Sequence, residues 1–111
     1  MEKGGMSEYI QVVTTTDRKE DAERIAAEAV EKRLAACVQI SSCRSVFRWQ
    51  GAIEQADEFL CVMKSRRDLF PELEKLVRSL HTYEVPEIIA VEIIAGSRDY
   101  LAWLEEELRS R

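Results

Sequence analysis

The stretch Glu58-Phe59-Leu60-Cys61-Val62-Met63-Lys64 decides the fold of this chain. Five consecutive apolar residues between charged ones are typical of a central strand, and we expect this strand to be buried on both faces. Residues 9–15 are rich in β-branched and aromatic residues, which predicts a first strand, and a second strand is predicted over residues 36–40. The chain therefore builds a sheet around residues 58–64.

A long hairpin leads into this central strand. We predict a bulge or bend at residues 41–43, after which residues 46–50 continue the extended chain. Gly51 marks a turn, and the return strand begins at Ile53. The far end of such a hairpin extends beyond the core of a small domain.

Three large side chains, Phe47, Arg48 and Trp49, lie near the far end of the hairpin. One interpretation packs Trp49 in the chain's own core, with Arg48 in solvent. The other places these residues at a subunit interface, where Trp and Arg are enriched. An exposed strand edge also needs a cover, which a neighbouring subunit provides. We therefore predict that Phe47, Arg48 and Trp49 form an interface.

Amphipathic helices separate the strands. The first is predicted to begin at Thr16 or Asp17, and the second to be capped by Asp68 with Pro71 in its first turn. A last strand is predicted over residues 88–94, and a terminal helix follows. The order is β-α-β-β-α-β plus one helix, which is typical of an α+β, ferredoxin-like antiparallel sheet with two helices on one face.

The length of 111 residues is enough for one domain and too short for two. We expect residues 1–7 to be a flexible tail and residues 8–111 to be the domain. The net charge of −5 argues against a nucleic-acid partner, because phosphate binding needs a surplus of Lys and Arg. The central strands also lack the paired aromatic residues with which RNA-recognition domains of this topology stack bases.

Three features predict a cytoplasmic protein with no membrane partner. No apolar run approaches the roughly 20 residues that span a bilayer. The first residues lack the apolar segment of a secretory signal. The cysteines Cys37, Cys43 and Cys61 are odd in number and lack CxxC spacing, which favours a reducing cytosol over a disulfide framework or a zinc finger.

Residues 81–87 (HTYEVPE) concentrate the chemistry of the chain, because they hold its only histidine. The His81 imidazole and carboxylates brought near it suit Cu(II), Zn(II) or Ni(II), with Cu(II) bound tightest. From the residues alone, a helix C-terminal histidine that caps carbonyls is the favoured alternative. The candidate carboxylates are those of Glu54, Glu58, Glu84 and Glu87.

No enzyme is predicted. The sequence has no GxSxG elbow, P-loop or HExxH motif, and no Ser or Cys has an obvious histidine partner. It also contains no asparagine, which an acylphosphatase-type site on this fold requires.

Four separated motifs resemble the CutA divalent-cation-tolerance family, and the likeness runs from about Tyr9 to the C-terminus. They are RLAACV at residues 33–38, FRWQG at 47–51, HTYEVPE at 81–87 and YLAWL at 100–104. The resemblance implies a ferredoxin-like subunit in a homotrimer similar to PII signalling proteins. It also implies tolerance to divalent metals, copper especially, and no catalytic reaction.

The resemblance implies a site in a cleft between subunits, where Cu2+ or another divalent metal binds without being required for folding. The implied metal ligands are His81, Glu58 and Glu87. The implied ligand cleft is lined by Trp49, Lys64, Tyr83 and Glu84.

Three positions depart from the family pattern. Thr82 stands in place of the usual proline, which loosens the local backbone. Ala52 stands in place of a lysine, so one positive charge near the site is missing. Thr14 aligns with a cysteine that serves some members as a copper ligand, which leaves His81 and carboxylates as the implied ligands.

Two alternatives stay open beside the metal site. In the first, the protein is a PII-like sensor whose cleft takes an anionic metabolite on Lys64 and Arg48. In the second, it is a trimeric scaffold with no metal role, and the site residues only brace the trimer.

Overall fold

The computed structural model describes residues 8–111, and the predicted tail at residues 1–7 lies outside them. These residues form four strands and three α-helices in the order β-α-β-β-α-β-α, and a short 3-10 helix precedes the second α-helix. The strands are β1 (Tyr9–Thr16), β2 (Cys37–Trp49), β3 (Ala52–Arg66) and β4 (Ile89–Glu92). The helices are α1 (Lys19–Glu31), α2 (Phe70–Leu80) and α3 (Arg98–Glu107), with the 3-10 helix at Arg67–Leu69.

The strands form one antiparallel sheet in the order β2-β3-β1-β4. The predicted α+β class, with an antiparallel sheet and a C-terminal helix, is confirmed. No helix within residues 8–111 is both long and apolar enough to span a bilayer.

The hairpin of β2 and β3 is continuous. Its register runs unbroken from Cys37 opposite Lys64 to Trp49 opposite Ala52, so the bulge predicted at residues 41–43 is wrong. Small polar residues tolerate extended backbone, and this segment has neither a glycine nor a proline to force an extra residue into the ladder.

The main core lies between one sheet face and the helices α1 and α2. Met63 of β3 is fully buried there, whereas Val62 and Lys64 are only half-buried, so the prediction that this strand is buried on both faces is wrong within one chain. Successive side chains of a strand point to opposite faces, and only one face is fully covered. The cluster comprises Ile10, Val12, Ile25, Ala29, Leu34, Ala35, Met63, Leu69, Leu73, Val77 and Leu108.

Helix α3 covers part of the second face. The Lys64 Nζ lies 5.9 Å from the centre of the Tyr100 ring. The hydroxyl of Tyr9 on β1 donates to Glu105 Oε1 at 2.8 Å. Arg33, just past α1, donates from Nη1 to the carbonyl of Glu107 at 2.9 Å, which satisfies the negative end of α3.

Two predicted helix starts are wrong. α1 begins after Arg18 rather than at Thr16 or Asp17, and no side chain caps it. α2 begins after Leu69, with Pro71 in its first turn as predicted. Asp68 does not cap α2, because its carboxylate accepts hydrogen bonds from Arg66 Nε at 2.5 Å and Nη2 at 3.0 Å.

The far half of the hairpin projects from the domain. β1 covers β3 only as far as Phe59, so residues 43–58, which we call the arm, form a two-stranded ribbon. Gln50 and Gly51 close it with φ values of 51° and 83°, which are typical of a two-residue type I′ turn. The longest dimension of the molecule is 49 Å, and the predicted extension beyond the core is confirmed.

Candidate functional site

The loop after α2 is fastened to β1 by the ring of His81. Its Nε2 lies 2.8 Å from the carbonyl oxygen of Thr15, and its Nδ1 accepts the backbone N–H of Tyr83 at 3.1 Å. Since a carbonyl can only accept, Nε2 carries the proton and the imidazole is neutral. The predicted cap on α2 is therefore wrong: the ring bonds a strand and its own loop instead of helix carbonyls.

Tyr83 extends this connection to the arm. Its hydroxyl donates to Glu58 Oε2 at 2.6 Å, and its ring lies 4.9 Å from that of His81. Burial, followed by the hydrogen bond to Glu58, raises the pKa of Tyr83 well above its usual range. The Glu58 side chain is almost completely enclosed, with 7% exposure. A charged group at such depth needs hydrogen bonds or a counter-charge, and Tyr83 supplies one of these bonds.

An open cavity of about 520 Å³, the arm cavity, lies between the arm and this loop. Phe47, Trp49, Tyr83 and Val85 give it aromatic and aliphatic walls. The cavity brings together three residues of the predicted ligand cleft, namely Trp49, Tyr83 and Glu84, with the predicted metal ligand Glu58.

The charged side chains of residues 8–111 that line the arm cavity are all acidic. Asp17, Glu54, Glu58 and Glu84 line it, and no Lys or Arg among residues 8–111 does. The predicted Lys64 lies elsewhere, six residues along β3 from Glu58, which is about 20 Å in an extended strand. Its Nζ donates to Gln39 Oε1 at 2.9 Å. A cleft shared by Lys64 and Tyr83 stays a prediction for the assembled protein.

The predicted metal ligands do not converge within one chain. Residues 8–111 contain no group of three or more His, Cys, Asp or Glu placed to hold a metal ion. Glu87 is exposed and does not line the arm cavity. Both ring nitrogens of His81 are already in hydrogen bonds, so coordination by His81 requires one of them to break. The site made of His81, Glu58 and Glu87 stays a prediction that needs a second subunit.

Thr14 occupies the position where some family members have a cysteine. It is fully buried on β1, and Cys61 on β3 is its cross-strand partner. Burial raises the pKa of Cys61 to about 11, so this neighbouring sulfur stays a protonated thiol and is a poor metal ligand. The Thr14 hydroxyl has no hydrogen-bond partner within the described part of the chain.

Sequence reasoning missed a network of ionic bonds at the other end of β3. Arg66 is 1% exposed, and besides its bonds to Asp68 its Nη1 lies 3.5 Å from Glu105 Oε2. Arg111 donates two hydrogen bonds to Glu105, at 2.9 and 3.0 Å. Hydrogen bonds from Arg111 and then from Tyr9 lower the pKa of Glu105 to about 2. Strand alternation places Arg66 on the same face as Lys64, and this was the available signal.

A large apolar surface is uncovered in the single chain. It comprises three regions, namely the arm, the segment around β4, and the outer side of α3. The exposed apolar side chains of these regions are Val46, Phe47, Trp49, Ile53, Ile89, Val91, Ile94, Tyr100 and Trp103. Large apolar side chains that are exposed in several regions of a single chain are typical of surfaces that other subunits or partners cover.

Comparison with known proteins gives a consistent result. The family described as "CutA1 divalent ion tolerance protein" matches residues 10–107. The divalent-cation tolerance protein CutA of Thermus thermophilus is 45% identical over 96 residues, which are 86% of this chain and 93% of that protein. The corresponding protein of Archaeoglobus fulgidus is 41% identical over 95 residues, with the same two shares.

The solved structures agree with the sequence relatives. CutA1 of Shewanella sp. SIB1 superposes with a TM-score of 0.90 at 39% identity and covers 94% of this chain and 98% of its own. The CutA structure from Archaeoglobus fulgidus, a protein described there as periplasmic, has a TM-score of 0.89 at 39% identity. It covers 91% of this chain and 99% of its own.

Proposed function

From the premise that this chain belongs to the CutA1 divalent ion tolerance family, we propose that it binds a divalent metal ion, copper in particular, between the subunits of a homotrimer. The observation that carries the proposal is the largely buried Glu58 carboxylate, which accepts a hydrogen bond from Tyr83 beside a cavity that no Lys or Arg of residues 8–111 lines. The family is named for tolerance rather than for a reaction, and we propose no catalytic activity.

The homotrimer is supported by the uncovered surface of the single chain. Among residues 8–111 the arm pairs with no strand beyond its own two, and β2 and β4 are the outer strands of the sheet. Open edges and exposed aromatic side chains are both covered when subunits associate. The strand order β2-β3-β1-β4, with α1 and α2 on one face, supports the ferredoxin-like classification and the proposed PII-like assembly.

The metal site is proposed to be completed by a neighbouring subunit. Glu58 has one oxygen bonded to Tyr83, whereas its Oε1 accepts no hydrogen bond from residues 8–111. The free oxygen is the best-positioned metal ligand of the predicted set. Glu87 is exposed and can contribute across the interface. His81 joins the set only if one of its ring nitrogens gives up its hydrogen bond, to the Thr15 carbonyl or from the Tyr83 N–H.

Calorimetric titration with Cu2+ tests this proposal. The wild type, Glu58→Gln and a matched control, Glu106→Gln, are compared at one protein concentration. Glu106 is exposed, and its only contact among those identified is through its backbone carbonyl. We expect the Glu58 variant to lose affinity by about tenfold or more, since a neutral amide is a much weaker ligand for a divalent ion. Equal affinities in all three proteins would refute the role of Glu58.

The anionic-metabolite alternative gains no support from the arm cavity. Its carboxylates repel an anion, and Lys64 lies on another part of the sheet. Arg48, the other predicted contact, is exposed on the arm and does not line the cavity.

We propose a cytoplasmic location, because Cys37, Cys43 and Cys61 are all free thiols, as a reducing compartment favours. Cell fractionation with an antibody to the chain tests this, and recovery outside the cytoplasmic fraction would refute it.

A further inference from the structure

We propose that the arm cavity binds a small organic cation, with a positively charged nitrogen on an apolar or aromatic body. This proposal does not depend on the proposed metal function, although both use the carboxylate of Glu58. It rests on the size of the cavity, the composition of its walls and the position of the Glu58 carboxylate among them.

The size of the cavity fits a small molecule. At about 520 Å³ it falls within the 300–1,000 Å³ that is typical of sites for small organic ligands. A bare or partly hydrated metal ion fills only a small part of such a space. The cavity is open to solvent on one side, so a ligand can enter without unfolding the arm. A neighbouring subunit that packs on Trp49 would close this side around the ligand.

The carboxylates select the charge of the ligand. Glu58 is 7% exposed, lines the cavity, and accepts one identified hydrogen bond among residues 8–111, from Tyr83 to Oε2. A carboxylate that is mostly removed from water is stabilised by a cationic donor. Asp17, Glu54 and Glu84 add negative charge to the same walls, and within the described part of the chain no Lys or Arg side chain lines the cavity to offset it. An anionic ligand is therefore excluded by repulsion.

The aromatic walls select the body of the ligand. Trp49, Phe47 and Tyr83 surround the same space, and a cation held over an aromatic face is attracted by the ring's electron density. A metal ion needs several oxygen or nitrogen ligands in direct contact. Residues 8–111 offer no such group of three ligands. An organic cation needs only nearby carboxylates and apolar contact, and the cavity provides both.

The test uses three small probes on the full-length protein, with EDTA present so that no metal contributes. They are benzyltrimethylammonium, the neutral benzyl alcohol and the anionic phenylacetate, titrated at constant ionic strength. We expect benzyltrimethylammonium to bind at least about tenfold more tightly than either of the others, given the strength of cation–π and charge pairing in an enclosed site. Absence of saturable binding, or equal binding of all three probes, would overturn the proposal.

Two variants locate the site. Glu58→Gln and Glu84→Gln each remove one lining charge, and we expect each to weaken binding of the ammonium probe, by several-fold or more for Glu58. Glu84 is exposed, so its variant retains the fold even if the Glu58 variant is unstable. Glu106→Gln removes one charge away from the cavity and is expected to bind like the wild type. Unchanged affinity in both cavity variants would refute the location.

The outcomes separate this proposal from the metal function. Cu2+ binding without ammonium binding refutes the organic cation and leaves the metal site intact. Binding of benzyltrimethylammonium without Cu2+ binding refutes the metal site and leaves the organic-cation proposal intact.

Discussion

Replacing Tyr83 by phenylalanine isolates a single hydrogen bond at the candidate site. The variant keeps the ring beside His81 and the backbone N–H that donates to His81 Nδ1. It removes only the hydroxyl, which donates to the enclosed Glu58 carboxylate at 2.6 Å. Hydrogen bonds to charged groups contribute about 1.5–3 kcal/mol, so we expect Tyr83→Phe to lower the free energy of unfolding by about 2 kcal/mol at pH 7.

The same bond predicts a pH dependence at the alkaline end. The pKa of Tyr83 in the folded protein is raised, first by burial and then by Glu58, whereas a tyrosine in the unfolded chain has an ordinary pKa. The stabilisation is therefore complete below pH about 10 and is lost as the pH rises further. At pH 11 the ionisation of Tyr83 in the unfolded chain lowers the free energy of unfolding of the wild type by up to about 1.4 kcal/mol. The variant lacks this cost, so the two stabilities converge.

Urea unfolding at pH 7, 9, 10 and 11, under reducing conditions and at one protein concentration, measures both effects. Tyr100→Phe is the matched control, because the Tyr100 side chain is 41% exposed and has no comparable bond to an enclosed carboxylate. A Tyr83 variant as stable as the wild type at pH 7 would refute the energetic role of the bond. A stability difference that stays constant up to pH 11 would refute the raised pKa of Tyr83.

Three further predictions concern other parts of the fold. The pKa of Glu105 is lowered to about 2 from a usual 4.5, so the stabilisation by its ionised carboxylate is present above pH about 4.5 and is lost as the pH falls through 2. Between these pH values the free energy of unfolding should therefore fall less steeply for Glu105→Gln than for the wild type. Arg66→Met is expected to lower the free energy of unfolding by about 2 kcal/mol, because it leaves Asp68 and Glu105 without their buried partner, and an unchanged urea midpoint would contradict this. Gly51→Ala places a side chain at φ +83° and should lower the free energy of unfolding by about 1 kcal/mol, measured by the same method. The space around Gly51 is open, so a much larger loss of stability would contradict this prediction.

Local features of the sequence predicted much of the architecture. Alternating and continuous apolar patterns identified the strands, and helical periods identified the helices, because each reports which faces are buried. Gly51 identified the turn, since a two-residue hairpin loop needs positive φ. The wrong bulge at residues 41–43 shows the weakness of composition alone, because small polar residues fit both extended and bent backbone.

Long-range pairings could not be predicted in the same way. His81 connects its loop to β1 through a hydrogen bond to the carbonyl of Thr15, which is 66 residues away in sequence. No local sequence pattern predicts a partner at that distance. Asp68 is a residue type that often caps helices, yet its carboxylate accepts a hydrogen bond from the buried Arg66 two residues earlier. The predicted cleft grouped Lys64 with Tyr83, whereas within one chain Lys64 lies six residues along β3 from Glu58, the residue to which Tyr83 donates its hydrogen bond.

Native mass spectrometry with increasing Cu2+ tests the central claim most directly, because it reads the oligomer and its bound metal together. The proposed site between subunits predicts a trimer that takes up about one metal ion per subunit, while monomer released by mild activation or dilution carries little or none. A trimer that binds no metal, or a monomer that binds it as well as the trimer, would contradict the claim.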